Sequence, residues 1–198
     1  MAITIYGSAR SRANRCTWAL KEMGIPYEQK ALTADQLKGA DYLKINPQGK
    51  VPAMQDGDLT MTESLAINVY LARKHKKLWP SSEKEQAAAE QWTLWSATEA
   101  EPHAITMLVE RAFKPADKRD LNKANAAEEA FKPRMDYLNQ YLTNRQYLVG
   151  NQFTIADLNA AACISAAVPG GFKMDAYPNV KKWLDACTSR QAFKDTRA

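Results

Sequence analysis

Cysteine and histidine are scarce in this chain. Its 198 residues hold three cysteines, Cys16, Cys163 and Cys187, and two histidines, His75 and His103. An odd number of widely spaced cysteines with no C-x-x-C pair argues against a disulfide framework. Without a Cys/His cluster a zinc site is not expected either, and no metal is assigned. Long apolar runs are absent too: none reaches the roughly 18 residues that a membrane span needs. The opening MAITIYG has no basic segment leading into a long apolar core, so no secretory signal is read there. These absences point to a reduced protein of the cytoplasm with no membrane partner.

What is present is an ordinary globular balance, 45% hydrophobic and 25% charged residues. The length allows one domain or two small ones. The net charge of +5 is uneven: residues 1–80 carry 12 Lys+Arg against 7 Asp+Glu, and residues 81–198 carry 15 of each. A nucleic-acid binder would show a denser basic stripe with interleaved aromatics or a reading motif, and neither is found. A small anionic ligand for the N-terminal part fits the excess, and so does a solvated basic face.

The pattern changes character near residue 80. Before it, Ala2–Tyr6 reads as a strand and Ser11–Met23 as a helix with Ala13, Cys16, Ala19, Leu20 and Met23 on one face. Residues Pro26–Lys30 suggest a second strand. Val51–Gln55 and Leu59–Met61 form a hairpin across Asp56-Gly57-Asp58. A helix follows from Ser64. This order predicts an α/β unit with a small mixed sheet over 1–78. Residues 79–86, with Pro80 and two serines, read as a linker, and only helices follow over 87–198. One long helix spans about 83–113, bent at Pro102, and a second about 117–143, with Pro133 inside it. A third starts at Thr154, where Thr154-x-x-Asp157 is a capping box, and a last one follows Tyr177-Pro178.

Three segments bear on chemistry. Gly7-Ser-Ala-Arg-Ser11 leads from a strand into a helix start, whose free N–H groups and dipole favour an anion; a serine there also serves as a plain cap. In Asn46-Pro-Gln-Gly-Lys50-Val-Pro52, Pro52 opens a strand; a proline there can adopt the cis form and leave the Val51 backbone free to pair with a ligand's peptide, and the same residues also make an ordinary turn. Glu63-Ser64 opens another helix. There Ser64 and the helix start suit a carboxylate while Glu63 suits an ammonium. Together they suit a small anionic peptide with a free α-amino acid end.

Residues Ser11–Glu28, Asn46–Pro52, Glu63–Ile67 with Tyr70-Leu71, Phe153-Thr-Ile-Ala-Asp157 and Tyr177–Val180 with Trp183 resemble the cytosolic glutathione transferase superfamily, in its bacterial-type, serine-class-like form. The match runs in family order over nearly the whole chain. It implies a thioredoxin-like N-terminal domain, a C-terminal helical-bundle domain and glutathione as co-substrate, with its thiolate conjugated to a small hydrophobic electrophile.

The resemblance also implies roles. Val51 pairs with the cysteinyl part of glutathione beside cis Pro52. Glu63 and Ser64 hold the γ-glutamyl end, and Lys50 approaches the glycyl carboxylate, with Lys38 a second choice. Ser11, four residues before Arg15, donates a hydrogen bond to the sulfur; Tyr6, Ser8 and Cys16 are its rivals, Cys16 reading as a packed core residue. Ala9, Arg10, His103, Ile105, Thr106 and Met107 are candidates to line the electrophile pocket, Arg10 and Arg12 favouring an anionic electrophile. A homodimer is implied, with Glu99 or Glu101 reaching the partner's bound γ-glutamyl amine. Pro169-Gly-Gly171 departs from the family's smoother connection. Other readings on the same scaffold are a glutathione-dependent isomerase, dehalogenase or peroxidase, or a non-catalytic binding module.

Overall fold

A computed structural model describes residues 2–196. They form two compact units, one running to Trp79 and resuming at Ser189, the other spanning Pro80–Thr188.

In the first unit the order is β1 (Ile3–Tyr6), α1 (Ala13–Met23), β2 (Tyr27–Lys30), α2 (Ala34–Lys38), α3 (Ala40–Leu43), β3 (Ala53–Asp56), β4 (Leu59–Thr62) and α4 (Ser64–His75). The sheet runs β2-β1-β3-β4, with β1 parallel to β2 and antiparallel to β3, and β3 antiparallel to β4. This is the small mixed sheet of the predicted thioredoxin-like domain. Gly57 takes the left-handed φ of +66° that the D-G turn requires, closing the β3–β4 hairpin. Helix α1 ends at Gly24, also left-handed, whose N–H reaches back to Leu20 and Lys21. The apolar face expected for α1 is wholly buried, and Trp18 joins it.

Two short helices escaped the sequence reading. Helix α2 starts at a capping box in which Thr33 and Gln36 exchange hydrogen bonds, a T-x-x-Q signal visible in the sequence. Four or five residues are too few to show a hydrophobic period, so pattern alone did not reveal them. The last helix, α10 (Gln191–Lys194), also went unread; Phe193 meets Trp18 edge to face at 4.8 Å, and Arg190 pairs with Glu22 of α1.

The second unit is helical throughout. Its elements are α5 (Glu83–Trp95), α6 (Glu101–Leu108), α7 (Leu121–Tyr141), α8 (Ile155–Ile164) and α9 (Pro178–Thr188). The single long helix predicted over 83–113 is divided by π-helical stretches at Ser96–Ala100 and Val109–Phe113. Pro102 lies in the first turn of α6, directly after the π-helical stretch Ser96–Ala100. Helix α7 continues through Pro133. There the Arg134 guanidinium donates to the Ala130 carbonyl at 3.0 Å, within the stretch that the proline disturbs.

Helix α8 is buried almost all round and lies at the centre of the unit, packed against α5, α6 and α9. Its predicted capping box is formed, with Asp157 accepting from the Thr154 N–H at 3.0 Å. Asp157 also accepts from the Leu148 N–H at 2.8 Å and the Trp183 indole N–H at 2.9 Å. One carboxylate thereby ties the start of α8 to the preceding loop and to α9. Gly170 is placed by close packing: a Cβ there would lie 2.8 Å from the Leu108 nitrogen, so only glycine fits the Pro169-Gly-Gly171 connection. No described helix is long and apolar enough to cross a membrane.

Candidate functional site

The strand register decides what meets what in the first unit. Tyr6 pairs with Ala53, and Ala53 with Thr62. The end of β1, the start of β3 and the end of β4 therefore lie side by side at one end of the sheet. The segments that leave from there are Gly7–Arg12, the loop ending in Val51-Pro52, and Glu63-Ser64. Residues about forty positions apart in sequence are brought together in this way.

The contacts around Gly7 show how tight the approach is. Its φ is +128°, and a Cβ there would lie 2.7 Å from Ala13 Cβ and 3.0 Å from both Ser11 Oγ and Val51 Cβ. Ser11 and Val51 thus flank one point, with glycine holding it open. The Ser11 hydroxyl donates to the Ser8 carbonyl at 2.8 Å and accepts the Ala13 N–H at 3.2 Å. The next N–H groups, of Asn14 and Arg15, go to the Ser11 and Arg12 carbonyls. The helix start expected to offer free N–H groups therefore meets them with its own turn, and its dipole alone remains for an anion.

The Val51 segment is fixed from behind. Asn46 donates to the Lys50 carbonyl at 2.7 Å and accepts the Gln48 N–H at 3.1 Å; Tyr42 donates to the same carbonyl at 2.6 Å. Tyr42 packs with Tyr6 and Ala53, with Val51 against them. Burial, the largest cause, pushes its phenol above the ordinary range, Asn46 opposing and Tyr6 adding to the shift. Sequence reading treated Asn46 as a turn former and missed Tyr42, whose spacing from the loop carries no pattern. The Val51–Pro52 peptide is cis. Among the described residues no hydrogen bond engages the Val51 N–H or C=O, so both remain open to a ligand.

At the neighbouring corner, Glu63 stands at the N-cap of α4 with φ +68° and ψ +103°, a conformation that L residues avoid. The next residue, Ser64, is buried, and its carbonyl accepts the Cys16 thiol at 3.6 Å. Neither its N–H nor its hydroxyl has a partner among the described residues. A left-handed glutamate beside two uncommitted donors at a helix start suits a zwitterionic amino acid group. Lys50 and Lys38 are both exposed. The turn bearing Lys50 comes against the end of α2, since a Cβ on Gly49 would lie 3.0 Å from the Leu37 carbonyl.

Of the rival residues, Tyr6 donates its hydroxyl to Gln55 Oε1 at 2.6 Å. Cys16 is fully buried, and burial pushes its thiol up to about 12, Arg15 opposing. A thiol so placed stays protonated at neutral pH.

In the second unit the residues named from the sequence are placed as follows. Glu99 pairs with Arg134 at 3.0 Å, and Glu101 accepts the Cys163 thiol at 3.5 Å. Met107 is buried, and Thr106 bonds back to the Pro102 carbonyl. Burial, with Arg134 nearby, holds His103 below the ordinary histidine value, Glu99 opposing. Among the described residues no group of three or more His, Cys, Asp or Glu is placed to hold a metal ion.

A thioredoxin-like unit with this corner, followed by a helical unit, defines a glutathione-transferase class of protein. Residues 1–73 match the family model described as glutathione S-transferase, N-terminal domain, and residues 101–191 that of the C-terminal domain. Glutathione S-transferase 3 of Zea mays is 31% identical over 207 residues, covering 99% of this chain and 93% of its own. A probable glutathione S-transferase GSTF2 of Oryza sativa subsp. japonica is 34% identical over 190 residues, covering 90% and 88%. A solved structure of glutathione S-transferase-I bound with lactoylglutathione superposes with a TM-score of 0.90 at 29% identity, covering 99% and 98%. The chain belongs to the glutathione S-transferase family, and it is a glutathione transferase.

Proposed function

We propose that this chain joins the thiolate of glutathione to small hydrophobic electrophiles, with Ser11 donating a hydrogen bond to the sulfur. The observation that carries the reading is the set of unmet groups at one end of the sheet: the Val51 backbone, and the Ser64 N–H and hydroxyl beside Glu63. Val51 pairs with the cysteinyl peptide, Pro52 shapes its approach, and Glu63 with Ser64 holds the γ-glutamyl end. Lys50, with Lys38, draws the glycyl carboxylate. The solved glutathione S-transferase-I bound with lactoylglutathione supports a glutathione ligand on this fold.

The energy required is modest. A thiol with pKa about 8.5 is roughly 3% ionised at pH 7. Lowering the pKa by about 2 units ionises about three-quarters of it and needs about 2.7 kcal/mol. A hydrogen bond to a charged sulfur contributes about 1.5–3 kcal/mol, and a helix dipole up to about 1. Ser11 need only turn its hydroxyl from the Ser8 carbonyl toward the sulfur, exchanging a neutral acceptor for a charged one. The thiolate then attacks an electrophilic carbon held beside it.

Several finer assignments belong to this proposal. The serine-type assignment rests on Ser11 flanking the same point as Val51, and the bacterial-type assignment on sequence resemblance. The glutathione-binding domain is taken as 1–78, joined by 79–86 to a helical domain over 87–198; the compact units depart from these bounds, since α5 begins at Glu83 and the segment from Ser189 groups with the first unit. We place the protein in the cytoplasm as a homodimer.

The test is a pH titration of the ultraviolet absorbance of bound glutathione thiolate in the parent chain and in Ser11→Ala, Ser8→Ala and Tyr6→Phe. The expected result is a depressed thiol pKa that only Ser11→Ala restores. Equal ionisation in Ser11→Ala removes the serine's role, and absence of glutathione binding leaves the binding-module reading in its place.

A further inference from the structure

The second unit holds a cavity of about 580 Å³ between the segment that follows α7 and one face of α9. Asn144, Arg145 and Gln146 come from the first, and Asn179, Lys182 and Trp183 from the second. It is an open surface groove: Asn144, Arg145, Gln146 and Lys182 are exposed, and only Leu142 and Trp183 form a buried floor. No carboxylate is among its lining residues. Two acids near it are committed elsewhere: Asp185 to Lys181 at 2.6 Å, and the buried Asp157 to the indole N–H of Trp183.

The two cations that face this space are uncompensated. Among the described residues neither the Arg145 nor the Lys182 side chain has an ion pair or a hydrogen bond. Arg145 is nevertheless ordered in advance. Its guanidinium lies over the Tyr141 ring at 4.6 Å, which restrains the side chain while leaving its N–H fork open. The walls are fixed as well. Asn179 is held by its bonds with Asn139 and Thr143, and Asn144, next to Arg145, takes a left-handed φ of +60°.

Two positive charges with no internal acid are matched by a dianion rather than a monoanion. A phosphate monoester carries about −1.5 to −2 charges at neutral pH and three strong acceptor oxygens, and a guanidinium fork fits it in bidentate fashion. The amides of Asn144 and Gln146 are suited to polar groups beyond the phosphate. We propose that this cavity binds a small phosphate monoester, with its phosphoryl group on Arg145 and Lys182, independently of the glutathione site.

The experiment is an amide chemical-shift titration of the full 15N-labelled chain with phenyl phosphate, benzoate and inorganic phosphate at matched ionic strength. Phenyl phosphate should move the amides of residues 142–146 and 179–186. Arg145→Gln and Lys182→Gln should each weaken it by about tenfold, as expected for loss of one charge-assisted contact. Both variants should keep glutathione conjugation at the parent rate, which shows that they fold. Benzoate should bind at least about tenfold more weakly. The proposal is overturned if these amides do not move, if neither substitution weakens binding, or if benzoate binds equally well. Equal affinity for inorganic phosphate would also overturn it, by reducing the site to one for the free ion.

Discussion

Replacing Asp157 tests the central tie of the helical unit. Its carboxylate, 0% exposed, accepts from four donors: the Leu148 N–H and Trp183 indole N–H on one oxygen, and the Thr154 N–H and hydroxyl on the other. Burial, the largest cause, raises its pKa above the ordinary value, and those bonds oppose the rise. Asp157→Ala removes all four acceptor contacts. A buried donor left without an acceptor costs about 1–3 kcal/mol, and relief from holding a carboxylate in apolar surroundings offsets part of the sum. The expected net loss is about 4 kcal/mol, a large share of the 5–15 kcal/mol typical of a folded protein. Asp157→Asn is more discriminating, since an amide keeps one acceptor oxygen and turns an NH2 toward the other pair of donors. Its loss should be about 2–3 kcal/mol. Urea unfolding followed by tryptophan fluorescence, at equal m, measures both. An Asp157→Asn chain within about 0.5 kcal/mol of the parent would refute the reasoning, because the second oxygen's bonds would then contribute nothing.

Two other predictions concern single contacts. Gly7→Ala places a Cβ 2.7 Å from Ala13 Cβ at a φ of +128°, and should cost about 3 kcal/mol by strain and overpacking. It should also weaken glutathione binding, because Ser11 Oγ and Val51 Cβ are the other atoms displaced; thermal unfolding with and without glutathione reads both effects, and unchanged glutathione stabilisation would count against this geometry. For Glu110, Lys114 and then the Asp120 N–H hold the carboxyl below the ordinary range, burial opposing. A carboxyl whose folded pKa is depressed stabilises above its unfolded value and loses that contribution as pH falls through the folded one. Glu110→Gln should therefore be less stable than the parent at neutral pH, with the gap closing in acid; parallel stability–pH curves would overturn this.

Local signals in this chain were strong wherever backbone chemistry is local. The D-G turn, the apolar face of α1 and the Thr154–Asp157 box each depend on residues a few positions apart, and each is formed. Family order made the two-part fold legible, and the three segments that converge were visible as separate fragments. Their convergence was not. It depends on strand register, Tyr6 against Ala53 against Thr62, which no local pattern states. Tyr42 reaching the Lys50 carbonyl, Gly7 wedged between Ser11 and Val51, and α10 returning to α1 are all contacts made across folded space. The same holds for the turn at Ser11: the sequence offered a helix start with open N–H groups, and the folded turn meets them with its own oxygens. Propensity and capping act within one turn of the chain and so can be read along it. Which groups remain open to a ligand depends on every neighbour that packing brings near, and that is settled only when the sheet and helices have closed around them.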